Sequence, residues 1–237
     1  MFSDFDGTLT EKGMVSSKLI NLINFIHLNN RELVITTGRG HAWGLFLLTH
    51  FPLDKIIVEN GGVIIKKIFR KDGRKVFKTY ELQTKKQKDL QKVNLKKLLK
   101  KFPGIKLSDD SVFRSCDLSI DLIENKKYIH SDFFAELKKL KFSYSTSNVH
   151  VNFQIGTFDK FKAIKKFCEQ EKVNLNSIIF FGDSLNDEPV FRHLKQTVGV
   201  SNIHERINEF KHLPQVILNG AKNKEIKGVA NYLKNIL

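Results

Sequence analysis

Four times the chain runs through a short β-rich stretch and stops at a polar, glycine-bearing turn. The stretches are ELVITTGRG (32–40), KIIVENGG (55–62), SIIFFGDS (177–184) and, in clipped form, MFSDFDG at the front. A continuous apolar run bounded by turns suits a strand buried on both faces, as in a parallel sheet. Amphipathic segments lie between them. SSKLINLINFIHLNN (16–30) places Leu19, Ile20, Ile23 and Ile26 on one helical face, with Ser16 or Ser17 as N-cap. DKFKAIKKFCEQEKV (159–173) and NDEPVFRHLKQ (186–196) read the same way. Strands alternating with helices predict crossover units and an α/β fold.

The middle of the chain follows another rule. QTKKQKDLQKVNLKKLLKKF predicts a basic amphipathic helix, and FFAELKKLKF (133–142) a second one. DLSIDLIE (117–124) and NVHVNFQI (148–155) alternate polar and apolar at period two. That period marks half-exposed strands of an antiparallel sheet with one wet face. The expected organisation is a parallel-sheet domain from 1–82 and 155–237, interrupted by a smaller α+β insert over 83–154.

Apolar residues make up 41% of the chain and include 20 Phe, enough for sizeable cores, which excludes wholesale disorder. The run LFLL at 45–48 falls far short of the roughly 20 apolar residues of a membrane span. The first residues lack a basic flank with an apolar signal core. Cys116 and Cys168 make no disulfide framework or metal cluster, so a cytoplasmic protein with two reduced thiols is expected.

Charge is unevenly spread. The formal net charge is +15, and residues 66–101 alone hold fifteen Lys/Arg against three Asp/Glu. Such a stretch is either a nucleic-acid footprint or a solvated lysine-rich surface. Only Phe69, Phe77 and Tyr80 supply aromatics there, and no fingerprint of a nucleic-acid-binding module is present, which favours the surface reading.

In open α/β sheets, ligands bind beyond the carboxyl ends of the strands. That rule gathers Asp4 and Asp6, then Thr36 to Arg39, then Glu59 to Gly61, then the 182–187 turn with Asp183, Asn186 and Asp187. Mutually repelling carboxylates in one crevice need a hard cation, and all-oxygen ligands suit Mg²⁺.

In this order, DFDGTLT, TTGR, DKFKA and GDSLNDEPVF resemble the four motifs of the haloacid dehalogenase (HAD) superfamily. The long insert between the second and third resembles subclass IIB, which includes the Cof-like, sucrose-phosphate and mannosyl-3-phosphoglycerate phosphatase-like hydrolases. The resemblance spans the whole chain in motif order. It implies a Rossmann-like core, a parallel sheet flanked by helices, plus an inserted α+β cap domain with an antiparallel sheet. It also implies a Mg²⁺-dependent phosphatase acting on a small phosphorylated metabolite, a sugar phosphate, through an aspartyl-phosphate.

Carried over by position, Asp4 would be the nucleophile. Asp6 would ligate Mg²⁺ through its carbonyl oxygen while its carboxyl serves as general acid and base. Asp183 would complete the protein ligands, with Asp187 and Asn186 holding metal-bound water or Lys160. Thr37 and Lys160 would bind the phosphate, with Gly38 and Arg39 beside them. One departure stands out: only Met1, Phe2 and Ser3 precede Asp4, so the first strand is very short or the start has lost a few residues.

In this subclass the insert closes over the crevice and supplies substrate contacts. The alternation puts Asp117, Ser119 and Asp121 on one side of the first insert strand, and Asn148, His150 and Asn152 on one side of the second. Arg114, His150 and Asn152 are expected to face the crevice, with Asn60 near the substrate. The expected partner is a small phosphate ester, with nucleic acid not favoured, no membrane, and a monomer or weak dimer. The alternatives are a hexose phosphomutase, a polynucleotide-end phosphatase using the basic stretch, and a non-catalytic binding module.

Overall fold

A computed structural model describes residues 1–147 and 149–237; Asn148, assigned above to the polar side of an insert strand, lies outside the described residues. Among the described residues, eleven strands form two sheets. The larger contains β1 (Phe2–Asp4), β2 (Val34–Thr36), β3 (Lys55–Val58), β4 (Val63–Phe69), β5 (Lys75–Glu81), β9 (Ile179–Gly182), β10 (Gln196–Gly199) and β11 (Val216–Ile217). Its spatial order is β11-β10-β9-β1-β2-β3-β4-β5. The six strands from β11 to β3 run parallel, and β4 and β5 extend the sheet as an antiparallel hairpin. The sequence reading did not anticipate that hairpin.

Helices cover both faces. On one side lie α1 (Ser17–Leu28), α2 (His41–His50) and α7 (Glu225–Lys234), packed with Ile35, Ile56, Val58 and Phe181. On the other lie α5 (Lys160–Glu171) and α6 (Glu188–His193), packed with Phe2, Val34, Ile57 and Phe180. Neighbouring strand residues thus enter opposite cores, which is why the strands read as unbroken apolar runs. The α1 face differs by one position: Leu22 is buried with Leu19, Ile23 and Ile26, whereas Ile20 is 44% exposed. Ser16 occupies the N-cap of α1 without a side-chain capping bond.

Three residues suffice for β1 because it is paired on both sides, Phe2 with Val34 and with Phe180, and Asp4 with Thr36. Phe2 also meets Phe167 of α5 edge-on, with ring centroids 5.4 Å apart. The register brings the carboxyl ends of β1, β2 and β9 to one rim.

The insert carries α3 (Lys85–Lys101), β6 (Leu118–Asp121), α4 (Ser131–Lys139), β7 (Ser143–Thr146) and β8 (His150–Gln154). Its sheet is antiparallel in the order β6-β8-β7. A reciprocal cap between Thr84 and Gln87 starts α3. Leu98, Ile120, Phe133, Leu137, Val151 and Phe153 close a separate apolar core. The opposite, polar face was expected to be wet. Ser119 and Asn152 are buried, at 0% and 2% exposure, because this face turns toward the carboxyl-end rim of the larger sheet, the side on which Asn152 was expected to lie.

Among the described residues, five of the fifteen basic residues of 66–101 form ion pairs, Arg74 with Asp72 being one. Lys66 pairs with Glu171, Lys67 with Asp54, Lys88 with Glu81 and Lys101 with Glu136. Among the described residues no helix is long and apolar enough to cross a membrane. Cys116 and Cys168 are buried and unbonded.

Candidate active site

The strand-end turns converge. Asp4 closes β1, and Asp183 and Asp187 follow β9; one carboxylate oxygen from each lies within 4.8 Å of the others, and all three residues are buried. Gly7 makes the approach possible: its φ is +80°, and a Cβ there would sit 2.5 Å from Asp183 Oδ2. Thr8 donates its hydroxyl to Asp183 Oδ1 at 2.9 Å, and Asn202 donates to Asp183 Oδ2 at 2.7 Å.

A lysine stands among these carboxylates. Lys160, the first residue of α5, is fully buried and donates to Asp4 Oδ1 at 2.5 Å and to Asp187 Oδ1 at 2.6 Å. Asp159 caps the helix by accepting from Lys162 N, which holds Lys160 at the helix entrance. The other oxygen of Asp187 accepts from the amides of Asp183 and Ser184, both at 3.1 Å.

Burial acts to lower the Lys160 pKa, but Asp187 and Asp4 outweigh it and hold the ammonium protonated above its usual range. Burial pushes the Asp4 carboxyl well up, reinforced by Asp187 and Asp183 and opposed by Lys160. Asp183 is pushed up to about 7, by burial first and then by Asp187. Three buried carboxylates face the Lys160 ammonium, and Arg206 lies within electrostatic reach of Asp183. The Asp6 carbonyl oxygen, two residues beyond Asp4, accepts no hydrogen bond among the described residues. This donor set of carboxylates and a free carbonyl fits a hard divalent cation.

Asp6 itself stands apart from the cluster. Its carboxylate takes a bidentate pair from Arg39, with Nε to Oδ2 at 3.0 Å and Nη2 to Oδ1 at 2.7 Å. Thr37 is fully buried and not among the residues lining the crevice; its hydroxyl oxygen accepts from Arg39 N at 3.0 Å. The crevice has a volume of about 220 Å³, and Asp4, Asp6, Gly38, Arg39, His150 and Asn152 contribute to its walls. Burial, then Arg114 and Arg39, lower the His150 pKa from its ordinary 6.5, so the imidazole is neutral at pH 7.

Two expected crevice residues sit behind this wall. The Arg114 side chain has no exposed surface: it binds Asp110 through Nε and Nη2, and through Nη1 donates to Asp117 Oδ1 at 2.7 Å and to Gly38 O at 3.0 Å. Asn60, 4% exposed, accepts from Asn186 Nδ2 at 2.9 Å. Asn152 both lines the crevice and donates to Asp117 Oδ2 at 2.9 Å. Sequence reasoning gave no role to Thr8, Asn202 or Asp110. Thr8 adjoins the first aspartates and was within reach of a motif argument; nothing linear links Asn202 to Asp183.

The haloacid dehalogenase-like hydrolase family model matches residues 1–102 and 69–233. No curated protein matches the chain. Among solved structures, a protein of Thermoplasma acidophilum is 18% identical with a TM-score of 0.71, over 98% of this chain and 96% of that one. A HAD-superfamily phosphatase of Bacteroides thetaiotaomicron is 18% identical at TM-score 0.70, over 99% and 93%. The sucrose-phosphatase of Synechocystis, solved with sucrose and phosphate, is 15% identical at TM-score 0.69, over 99% and 96%. A subclass IIB sugar phosphatase also shares the fold, with a TM-score of 0.68. From the family match and the capped α/β architecture together, this chain belongs to the haloacid dehalogenase-like hydrolases, with the fold of their subclass IIB.

Proposed function

We propose that this hydrolase is a Mg²⁺-dependent phosphatase of a small phosphate monoester, a sugar phosphate, working through an aspartyl-phosphate at Asp4. The observation that carries the reading is the convergence of Asp4, Asp183 and Asp187 around Lys160, next to the Thr37–Arg39 loop. Residues 1–82 and 155–237 would form the catalytic core and 83–154 the cap.

An Asp4 oxygen attacks phosphorus, the ester bond breaks, and the leaving oxygen takes a proton from an Asp6 carboxyl that substrate binding would have to release from its Arg39 pair and protonate. Asp6 then accepts a proton from water as that water attacks the phosphoryl group, releasing inorganic phosphate and restoring Asp4. A carboxylate nucleophile needs no base, and the covalent route divides one hard displacement into two. Lys160 and Thr37 brace the phosphoryl oxygens as charge shifts across them; positioning and electrostatics do most of the work in phosphoryl transfer. Mg²⁺, when held by Asp4, the Asp6 carbonyl and Asp183, with Asp187 alongside, supplies charge neutralisation and polarises the phosphoryl group.

The crevice volume of about 220 Å³ supports a small leaving group, being below the usual range of ligand pockets, about 300–1,000 Å³. His150 and Asn152 offer hydrogen bonds to hydroxyl groups on it. The sparse aromatics of residues 66–101 and the lack of a nucleic-acid-binding fingerprint there favour a small-molecule substrate over nucleic acid. The protein would act as a monomer or weak dimer in the cytoplasm, where buried thiols stay reduced.

A panel of phosphorylated metabolites, assayed for released phosphate with and without Mg²⁺, tests the proposal. Release that requires Mg²⁺ and vanishes in Asp4→Asn is expected. Near-wild-type turnover in Asp4→Asn would refute the nucleophile, and isomerisation without release would identify a mutase.

A further inference from the structure

The Glu59 side chain has no part in the chemistry above, yet it occupies a costly position. The residue has no exposed surface. Among the described residues no lysine, arginine or histidine pairs with its carboxylate, and every hydrogen bond it receives comes from main chain. Ser115 N donates to Oε1 at 2.9 Å and Oε2 at 3.0 Å, Cys116 N to Oε2 at 2.6 Å, and Asp117 N to Oε2 at 3.2 Å. Three successive amides form a concave nest that selects an anion, and Glu59 fills it. The backbone is unusual as well: Glu59 has φ 53° and Asn60 φ 51°, a left-handed pair without glycine. Strain of this kind persists only where the surroundings over-determine it.

The same turn touches two catalytic loops. Glu59 N donates to Arg39 O at 2.9 Å and Asn60 N to Thr37 O at 3.0 Å. Asn60 Oδ1 takes the Asn186 amide, and Asn60 Nδ2 reaches Asp117 Oδ2 at 3.4 Å. The segment that Glu59 grips begins beside Arg114, whose guanidinium ties Asp117 to Gly38 O, and Asp117 in turn orients Asn152 at the crevice wall.

We propose that Glu59 is a positioning residue: its carboxylate clamps amides 115–117 against the Thr37–Arg39 loop and so sets the insert's substrate-facing groups, Asn152 first, at a fixed distance from Asp4. A buried acid with no cationic partner is poorly suited to stability alone, since an apolar side chain fills the same volume without desolvating a charge. The clamp belongs to leaving-group recognition, not to attack on phosphorus. The proposal rests on the phosphatase reading for its kinetic consequence, whereas the clamp itself is observable without turnover.

The test compares wild type, Glu59→Gln and Glu59→Asp in two assays. The first is hydrogen exchange by mass spectrometry. Glu59→Gln should speed exchange at amides 115–117 by tenfold or more and leave the 30–58 peptides unchanged, with Glu59→Asp intermediate. Equal acceleration throughout the chain, or none at 115–117, overturns the clamp. The second is kinetics with p-nitrophenyl phosphate, whose leaving group is flat and aromatic, beside the best metabolite of the panel. Glu59→Gln should keep kcat for p-nitrophenyl phosphate within about threefold while KM for the metabolite rises tenfold or more. An equal loss on both substrates, or on neither, overturns the positioning role. If wild type hydrolyses nothing while the exchange result holds, the phosphatase reading has failed and the clamp has not.

Discussion

Lys160→Met should be the most informative single change in the core. The substitution keeps an unbranched chain of similar length and removes the ammonium alone. In wild type that ammonium is fully buried and lies 2.5 Å from Asp4 Oδ1, whose side chain is 5% exposed, and 2.6 Å from Asp187 Oδ1, whose side chain is not exposed. Removing one partner of a buried pair costs about 3–5 kcal/mol, because it strands an uncompensated charge. Here two carboxylates are stranded together and Asp183 lies close by. A chain of this length loses roughly 2–4 °C of Tm per kcal/mol, so Tm should fall by roughly 6–20 °C in EDTA. A ligand that binds only the folded state at 100 times its Kd restores about 2.7 kcal/mol, so saturating Mg²⁺ should recover a large part of the loss. Loss of a preorganised charge at the phosphoryl group should also lower kcat by roughly 10²–10³. Urea unfolding with EDTA and with Mg²⁺ measures the stability effect. A metal-free loss below about 1 kcal/mol, or no recovery with Mg²⁺, would refute the charge-crowding argument.

Other expectations are more local. His150 should titrate below 6.5 by NMR and move upward when inorganic phosphate binds, because an added anion offsets Arg114 and Arg39. Since its folded pKa is depressed, the unfolded chain binds its proton first: this contribution to stability is whole above pH 6.5 and is lost as pH falls through the folded value. An upward-shifted His150 in the free protein would contradict the burial argument. Gly61→Ala should destabilise by at least about 2 kcal/mol in thermal melts, because φ is +98° and the new Cβ would lie 2.2 Å from Asp159 O. A neutral result there would mean that the N-cap of α5, and with it Lys160, is not held from below.

The legible parts of the fold were those where one physical rule acts alone. Buried parallel strands read as apolar runs because Phe180 and Phe181 enter opposite cores, and the insert strands alternate because only one side meets an apolar core. The β4–β5 hairpin was hidden by its own charge: Lys66 and Lys67 sit among Ile64, Ile65 and Ile68, and the segment read as a basic surface. β10 (QTVG) holds one large apolar residue, Val198, and β11 has only two residues, so neither makes an apolar run. In the site, the turns around Asp4, Thr37, Asn60 and Asp183 could be gathered from topology alone, and Lys160 stood out from nearby lysines by its place at a helix entrance. The Arg39–Asp6 pair, the Asn202 contact with Asp183 and the Glu59 clamp span 19 to 58 positions of chain, and only tertiary packing brings them together. Arg114 was readable as a cationic candidate, but its burial between Asp110 and Asp117 was not.

The central claim is that Asp4 carries the phosphoryl group in transit. Acid-quenched single turnover with the preferred substrate and Mg²⁺, followed by peptide mass spectrometry, addresses it directly. The account predicts a hydroxylamine-labile phosphoryl adduct on the N-terminal peptide, confined to Asp4 and absent without Mg²⁺. Turnover with no adduct on Asp4, or with the adduct on another residue, would contradict it.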